Sequence, residues 1–194
     1  MKKIGLLNGP NLDRLGKREP EVYGSVTLAQ IEEKVKSKAA SCDCEIDSFQ
    51  SNHEGALIDK IHEWGDADFS GLILNPGGLT HTSVALRDAV VASGLKTVEV
   101  HLSNIHARED FRHKSLISGI VSAVVAGMGH HGYMSALRYL SEKIWLRTYP
   151  IFKQSINLNS LKKIQIEPIP KINPRTEFHH TFAQVEPIDR NLLR

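Results

Sequence analysis

Cysteine is scarce in this 194-residue chain: Cys42 and Cys44 are the only two. One residue apart, they are poorly placed to bond to each other, and no C-x-x-C or Cys/His spacing points to a metal centre. Both thiols read as small hydrophobes in a protein of a reducing compartment. Long apolar runs are missing too; none nears the ~18 residues of a membrane-spanning helix. The apolar stretch after Lys2-Lys3 stops at Leu7, short of the ~7–15 residues of a secretory signal. A cytoplasmic location is therefore expected. The formal charge of +2, without a long Lys/Arg run, argues against nucleic acid as a partner. Neither a Walker motif nor G-x-G-x-x-G spacing occurs, so nucleotide binding gains no support.

What is present is an alternation of strand-like and helix-like segments. A hydrophobic fraction of 41% and a charged fraction of 24% suit a soluble domain. Ile4 to Asn8 reads as a short strand stopped by Gly9-Pro10. Thr27 caps a helix whose Leu28, Ile31 and Val35 share one face. Cys44 to Phe49 is a second strand, Ala56 to Trp64 a helix, and Gly71 to Asn75 a buried strand ended by Pro76-Gly77-Gly78. A helix starting at Thr82 or Ser83 runs to about Ser93, with Gly94 in the closing position. Thr97 to Leu102 is the fourth strand, Ile120 to Ala126 the fifth, and Tyr133 to about Leu146 the last helix. Apolar strands separated by helices predict a parallel sheet covered on both faces.

Composition changes near Tyr149. All 14 glycines lie at or before Gly132, whereas five of the eight prolines follow the last helix. Residues 149–194 carry seven Lys/Arg against four acids. Ile164, Ile166 and Pro168 have strand spacing, yet the prolines exclude an interior strand. The sequence therefore divides into a domain over 1–148 and a C-terminal extension over 149–194, read as an arm or edge strand.

Three polar segments follow strands, where open parallel α/β sheets bind ligands. In a 2-1-3-4-5 strand order the loops after strands one and three flank the crevice, with the loop after strand four beside them. The first segment runs from Asn8 through Asn11, Arg18 and Tyr23 to Gly24, long for a connection of this kind and suited to a lid. A phenol of pKa ~10 is no base near neutrality, but a nearby guanidinium stabilises phenolate. The alternative is a tyrosine packing over an exposed loop. The second segment is Asn75 to Ser83, then Arg87-Asp88. Its glycines let a ligand approach the backbone, and Asn75 and His81 read as ligand contacts. Thr82 or Ser83 reads as a helix cap.

The third segment runs from Glu99 to Arg112. Glu99 and His101 are two apart on a strand and so share a face. A carboxylate beside an imidazole holds its tautomer and suits it to general-acid work, although a histidine at a strand end is often merely hydrogen-bonded. Ser103 and the backbone around it suit a carboxylate, with Arg108 or Arg112 adding charge. His106, His113, His130, His131, His179 and His180 lack such partners and read as surface or supporting residues.

Together, NGPNLDRLGKREPEVYG, LNPGGLTHTSVALRDA and VEVHLSNIHAREDFR resemble the type II dehydroquinase family in order and spacing, over about residues 3–147. Asp13 departs from the Asn or other small polar residue of many members, and the extension departs from chains that end near the last helix. The resemblance implies a flavodoxin-like domain that converts 3-dehydroquinate to 3-dehydroshikimate, in the shikimate route to aromatic amino acids, without metal, cofactor or lysine Schiff base. It implies Tyr23 as the base at C2, with Arg18 and Arg108 favouring its phenolate. Asn11 would hold a water against the enolate oxygen, and His101, oriented by Glu99, would protonate the departing C1 hydroxyl. Asn75, His81 and Arg112 would contact ring hydroxyls, and Ser103 with the Leu102 amide would take the carboxylate. Asp88 would reach a neighbouring subunit's site, in a dodecamer built from trimers. A catabolic dehydroquinase of quinate breakdown would look the same, and a flavodoxin-like binding module without activity is the alternative from another class.

Overall fold

The apolar strand segments form five parallel strands: β1 (Lys2–Asn8), β2 (Cys44–Gln50), β3 (Gly71–Asn75), β4 (Thr97–His101) and β5 (Ala123–Ala126). The computed structural model describes residues 1–17 and 25–142. Their order across the sheet is β2-β1-β3-β4-β5, the flavodoxin-like arrangement that the family resemblance implies, and all neighbours are parallel, as the alternation predicts. Arg18, Tyr23 and the extension over 149–194, with Ile164, Ile166 and Pro168, lie outside the described residues.

Strand side chains alternate between the two faces, and each face receives its own pair of helices. On one, Ile4, Leu6, Ile73, Val98 and Val100 meet α1 (Leu28–Ala40) and α4 (His131–Ser141). On the other, Leu7, Leu72 and Leu74 meet α2 (Glu54–Asp66) and α3 (Val84–Ala92). Each fully buried Leu or Ile contributes about 1.5–3 kcal/mol relative to exposure. No described helix is long and apolar enough to cross a membrane. Cys42 and Cys44 are both free.

Local signals behave as their chemistry requires. Thr27 and Gln30 form a reciprocal capping box at the start of α1. Ser83, not Thr82, caps α3 by accepting from the Leu86 amide at 2.8 Å. Gly94, at φ +65°, takes the left-handed position just after that helix. Several boundaries differ from expectation: α2 runs Glu54–Asp66 rather than Ala56 to Trp64, β2 ends at Gln50 rather than Phe49, and β4 ends at His101 rather than Leu102. β1 starts at Lys2 because Lys2 and Lys3 pair with Cys44 and Glu45, while the Lys2 ammonium donates to the Leu140 and Ser141 carbonyls at the end of α4. β5 starts at Ala123 rather than Ile120. Ile117 and Ile120 turn under α2 and α3 instead, in a loop closed by an Ile120 N–H to Ile117 O bond of 2.9 Å. α4 starts at His131, two residues early.

Candidate active site

At the carboxyl ends of β1, β3 and β4 lies a cleft of about 180 Å³. Eight of the residues singled out above line it: Asn11, Asn75, His81, His101, Leu102, Ser103, Arg108 and Arg112. The loops after β1 and β3 interlock at its floor. The Gly9 amide donates to Asn75 O at 2.8 Å, and a Cβ on Gly9 would stand 2.4 Å from the Pro76 carbonyl oxygen. Only glycine allows this backbone approach. Asn11 is left-handed at φ 66°, which Asn tolerates better than most residues, and its amide donates to Asn52 Oδ1 at 2.7 Å.

Behind the cleft wall, Glu99 is completely buried, with its carboxylate 2.7 Å from His101 Nε2. A carboxylate only accepts, so Nε2 carries the proton, and Nδ1 is left as the ring nitrogen for a ligand. Glu99 has further donors. Its Oε1 accepts from Thr80 Oγ1 and from Ser115 Oγ at 3.1 Å; its Oε2 accepts from Ser118 Oγ. Burial alone would push this carboxyl up, but the donations from His101, Ser118 and Thr80 outweigh it and hold the group below its ordinary value of 4.5. Glu99 therefore stays ionised where an isolated buried carboxyl would not.

This has a consequence for acid stability. A carboxyl whose folded pKa is depressed stabilises the fold above its unfolded value, and loses that contribution as pH falls through the folded one. Urea denaturation at pH 7 and again below about pH 4.5 should show wild type losing more stability than Glu99→Gln, which starts out weaker at pH 7. Equal losses in the two proteins would mean that Glu99 carries no charge to lose.

The remaining polar groups are also anchored. His81 Nδ1 lies 2.8 Å from Lys114 O, a carbonyl that can only accept, so Nδ1 is protonated and Nε2 is the other available nitrogen. Glu109 Oε2 accepts from Arg112 Nε at 2.9 Å and lies 3.4 Å from Arg108 Nε, joining the two cations. The Leu102 and Ser103 carbonyls accept from Gly129 and Gly127, which pins the turn after β4. Asn75, only 3% exposed, donates to the Tyr133 hydroxyl at 2.7 Å. Among the described residues no group of three or more His, Cys, Asp or Glu is placed to hold a metal ion.

Asp88 is not in the cleft; it is exposed on α3, 3.0 Å from Arg87 Nη1. Thr80, Ser115, Ser118, Glu109 and Tyr133 are the polar participants that sequence reasoning passed over. Of these, Glu109 alone had a signal, standing three residues before Arg112 and next to Arg108.

The profile of the family described as "Dehydroquinase class II" matches residues 2–141. A 3-dehydroquinate dehydratase of Janthinobacterium sp. (strain Marseille) is 51% identical over 143 residues, covering 74% of this chain and 99% of that one. One from Herminiimonas arsenicoxydans is 52% identical over the same length and shares. Among solved structures, the type II dehydroquinase of Butyrivibrio crossotus DSM 2876 superposes with a TM-score of 0.71 at 39% identity, covering 73% of this chain and 98% of that one. That of Propionibacterium acnes gives 0.70 at 37% identity, covering 73% and 97%. By profile, relatives and fold alike, the chain belongs to the class II dehydroquinase family.

Proposed function

We propose that the chain is a type II 3-dehydroquinate dehydratase that converts 3-dehydroquinate to 3-dehydroshikimate in the shikimate pathway. The observation that carries this reading is the buried Glu99 bonded to His101 at the cleft wall, its carboxyl held below its ordinary value, against burial, by its hydrogen-bond donors. Dehydration next to a ketone needs a base at C2, stabilisation of the enolate, and an acid for the leaving hydroxyl. Tyr23, as phenolate supported by Arg18 and Arg108, removes the C2 proton, and the electron pair moves onto the ketone oxygen. Asn11 holds a water against that oxygen. His101, as imidazolium with its Nε2–H kept on Glu99, gives the Nδ1 proton to the C1 hydroxyl, which leaves as water while the enolate re-forms the ketone and the C1–C2 double bond forms.

Asn75, His81 and Arg112 bind ring hydroxyls, and Ser103 with the Leu102 amide receives the carboxylate. Asp88, exposed on α3, serves a neighbouring subunit in a dodecamer of trimers, working in the cytoplasm. The relatives' names support the activity, and the clustering of Asn11, Asn75, His81, His101, Ser103, Arg108 and Arg112 around one cleft supports their roles. The test is a spectrophotometric assay with 3-dehydroquinate, following the conjugated enone of the product, with and without borohydride. Activity that survives borohydride is the expected result. Inactive folded protein would overturn the reading, and activity destroyed by borohydride would overturn the mechanism.

A further inference from the structure

Asparagine is nearly symmetric in shape, so only its partners tell its oxygen from its nitrogen. At Asn75 those partners leave no choice. The Gly77 amide, 3.2 Å away, can only donate, so the atom facing it is Oδ1. The atom facing the Tyr133 hydroxyl at 2.7 Å is then Nδ2, a donor. Tyr133 has a single proton, and it goes to Asn8 Oδ1 at 2.8 Å. Asn8 Nδ2 in turn donates to Glu32 Oε1 at 3.3 Å, while Ser48 donates to the other oxygen at 3.1 Å. The chain runs one way, Asn75 to Tyr133 to Asn8 to Glu32. A group that can only donate holds one end, and a group that can only accept holds the other.

We propose that Tyr133 and Asn8 are positioning residues for Asn75, a one-way hydrogen-bond chain that holds its amide in a single orientation at the cleft. The inference deepens the function proposed above and rests on it. Asn8 and Asn75 are register partners on adjacent strands, and Tyr133 reaches both from α4. Asn8 and Tyr133 are fully buried, where polar atoms are costly unless their bonds are made. Burial, the largest influence, pushes the Tyr133 phenol well above its ordinary range; the Asn75 bond lowers it and the Glu32 charge raises it further. Tyr133 thus keeps its proton and takes no part in the proton transfers. With the amide held, Asn75 meets a ligand with one N–H and one lone pair already aimed, and binding spends nothing on choosing between orientations.

Tyr133→Phe preserves the ring and its packing but removes the link. KM for 3-dehydroquinate should rise about tenfold while kcat stays within about threefold, the pattern of lost ground-state binding. Asn8→Asp sets a second carboxylate against Glu32 and should also raise KM. Adding Glu32→Gln restores the direction: the introduced amide accepts from Ser48 and donates to the introduced carboxylate, which still accepts from Tyr133. That double variant should bring KM back to within about twofold of wild type, a rescue that follows from donor and acceptor direction alone. A lowered melting temperature for Tyr133→Phe with unchanged KM would reduce the chain to a structural feature and overturn the proposal. So would a folded double variant whose KM does not recover. Wild type is assayed first: inactivity there sinks the proposed function and this inference with it, whereas active wild type and an indifferent Tyr133→Phe sink the positioning role alone.

Discussion

His101→Ala should slow loss of water by about two to four orders of magnitude while the C2 proton continues to exchange with solvent. The reason lies in how the imidazole is held. Its Nε2–H is committed to a buried carboxylate, so the ring cannot rotate freely, and the proton proposed for the departing hydroxyl is the second one, carried on Nδ1 of the imidazolium. Removing the ring takes away that acid without touching the proposed base in another segment. Incubation in deuterium oxide, with magnetic resonance of recovered substrate beside single-turnover kinetics, separates the two steps. Exchange lost with elimination retained would reverse the assigned roles.

Tyr23→Phe should lower kcat by at least about a thousandfold and leave substrate affinity within a few-fold of wild type. Two observations motivate it. Tyr133, the tyrosine bonded to Asn75, has its phenol pushed up by burial and keeps its proton, so it is no substitute base. Tyr23 stands five residues after Arg18, and a guanidinium near a phenol is the physical means of making phenolate available near neutrality. Turnover and equilibrium binding measured on the same preparation decide the matter. Near-wild-type turnover would remove Tyr23 from the mechanism.

The parallel sheet was legible because strand-like segments alternate with helical ones and parallel strands need intervening helices; the order of the strands came from the family resemblance, since no local pattern encodes it. The caps at Thr27 and Ser83 were legible because capping is local chemistry. The error at β5 has the opposite character. Ile120 and Val121 have the residue types of a strand, but they pack with α2 and α3, a choice set by distant residues that no local window contains. The Glu99–His101 contact was readable from strand alternation. The donors around Glu99 were not, because Thr80, Ser115 and Ser118 look like ordinary loop residues until the fold brings them, from 16 to 19 positions away in sequence, to one carboxylate. Tyr133 was equally silent: its bond to Asn8 spans 125 residues.

Active sites commonly weaken the folds that carry them, and replacing a functional group often returns stability at the expense of rate. Glu99 inverts that relation. One carboxylate gathers the loop after β3, the turn before β5 and the end of β4, so the group that orients the proposed acid also ties three segments together. Selection for a faster or slower enzyme therefore cannot adjust this position independently of whether the domain stays folded. Stabilising changes will accumulate elsewhere on the sheet, and drift at Glu99 will be punished twice.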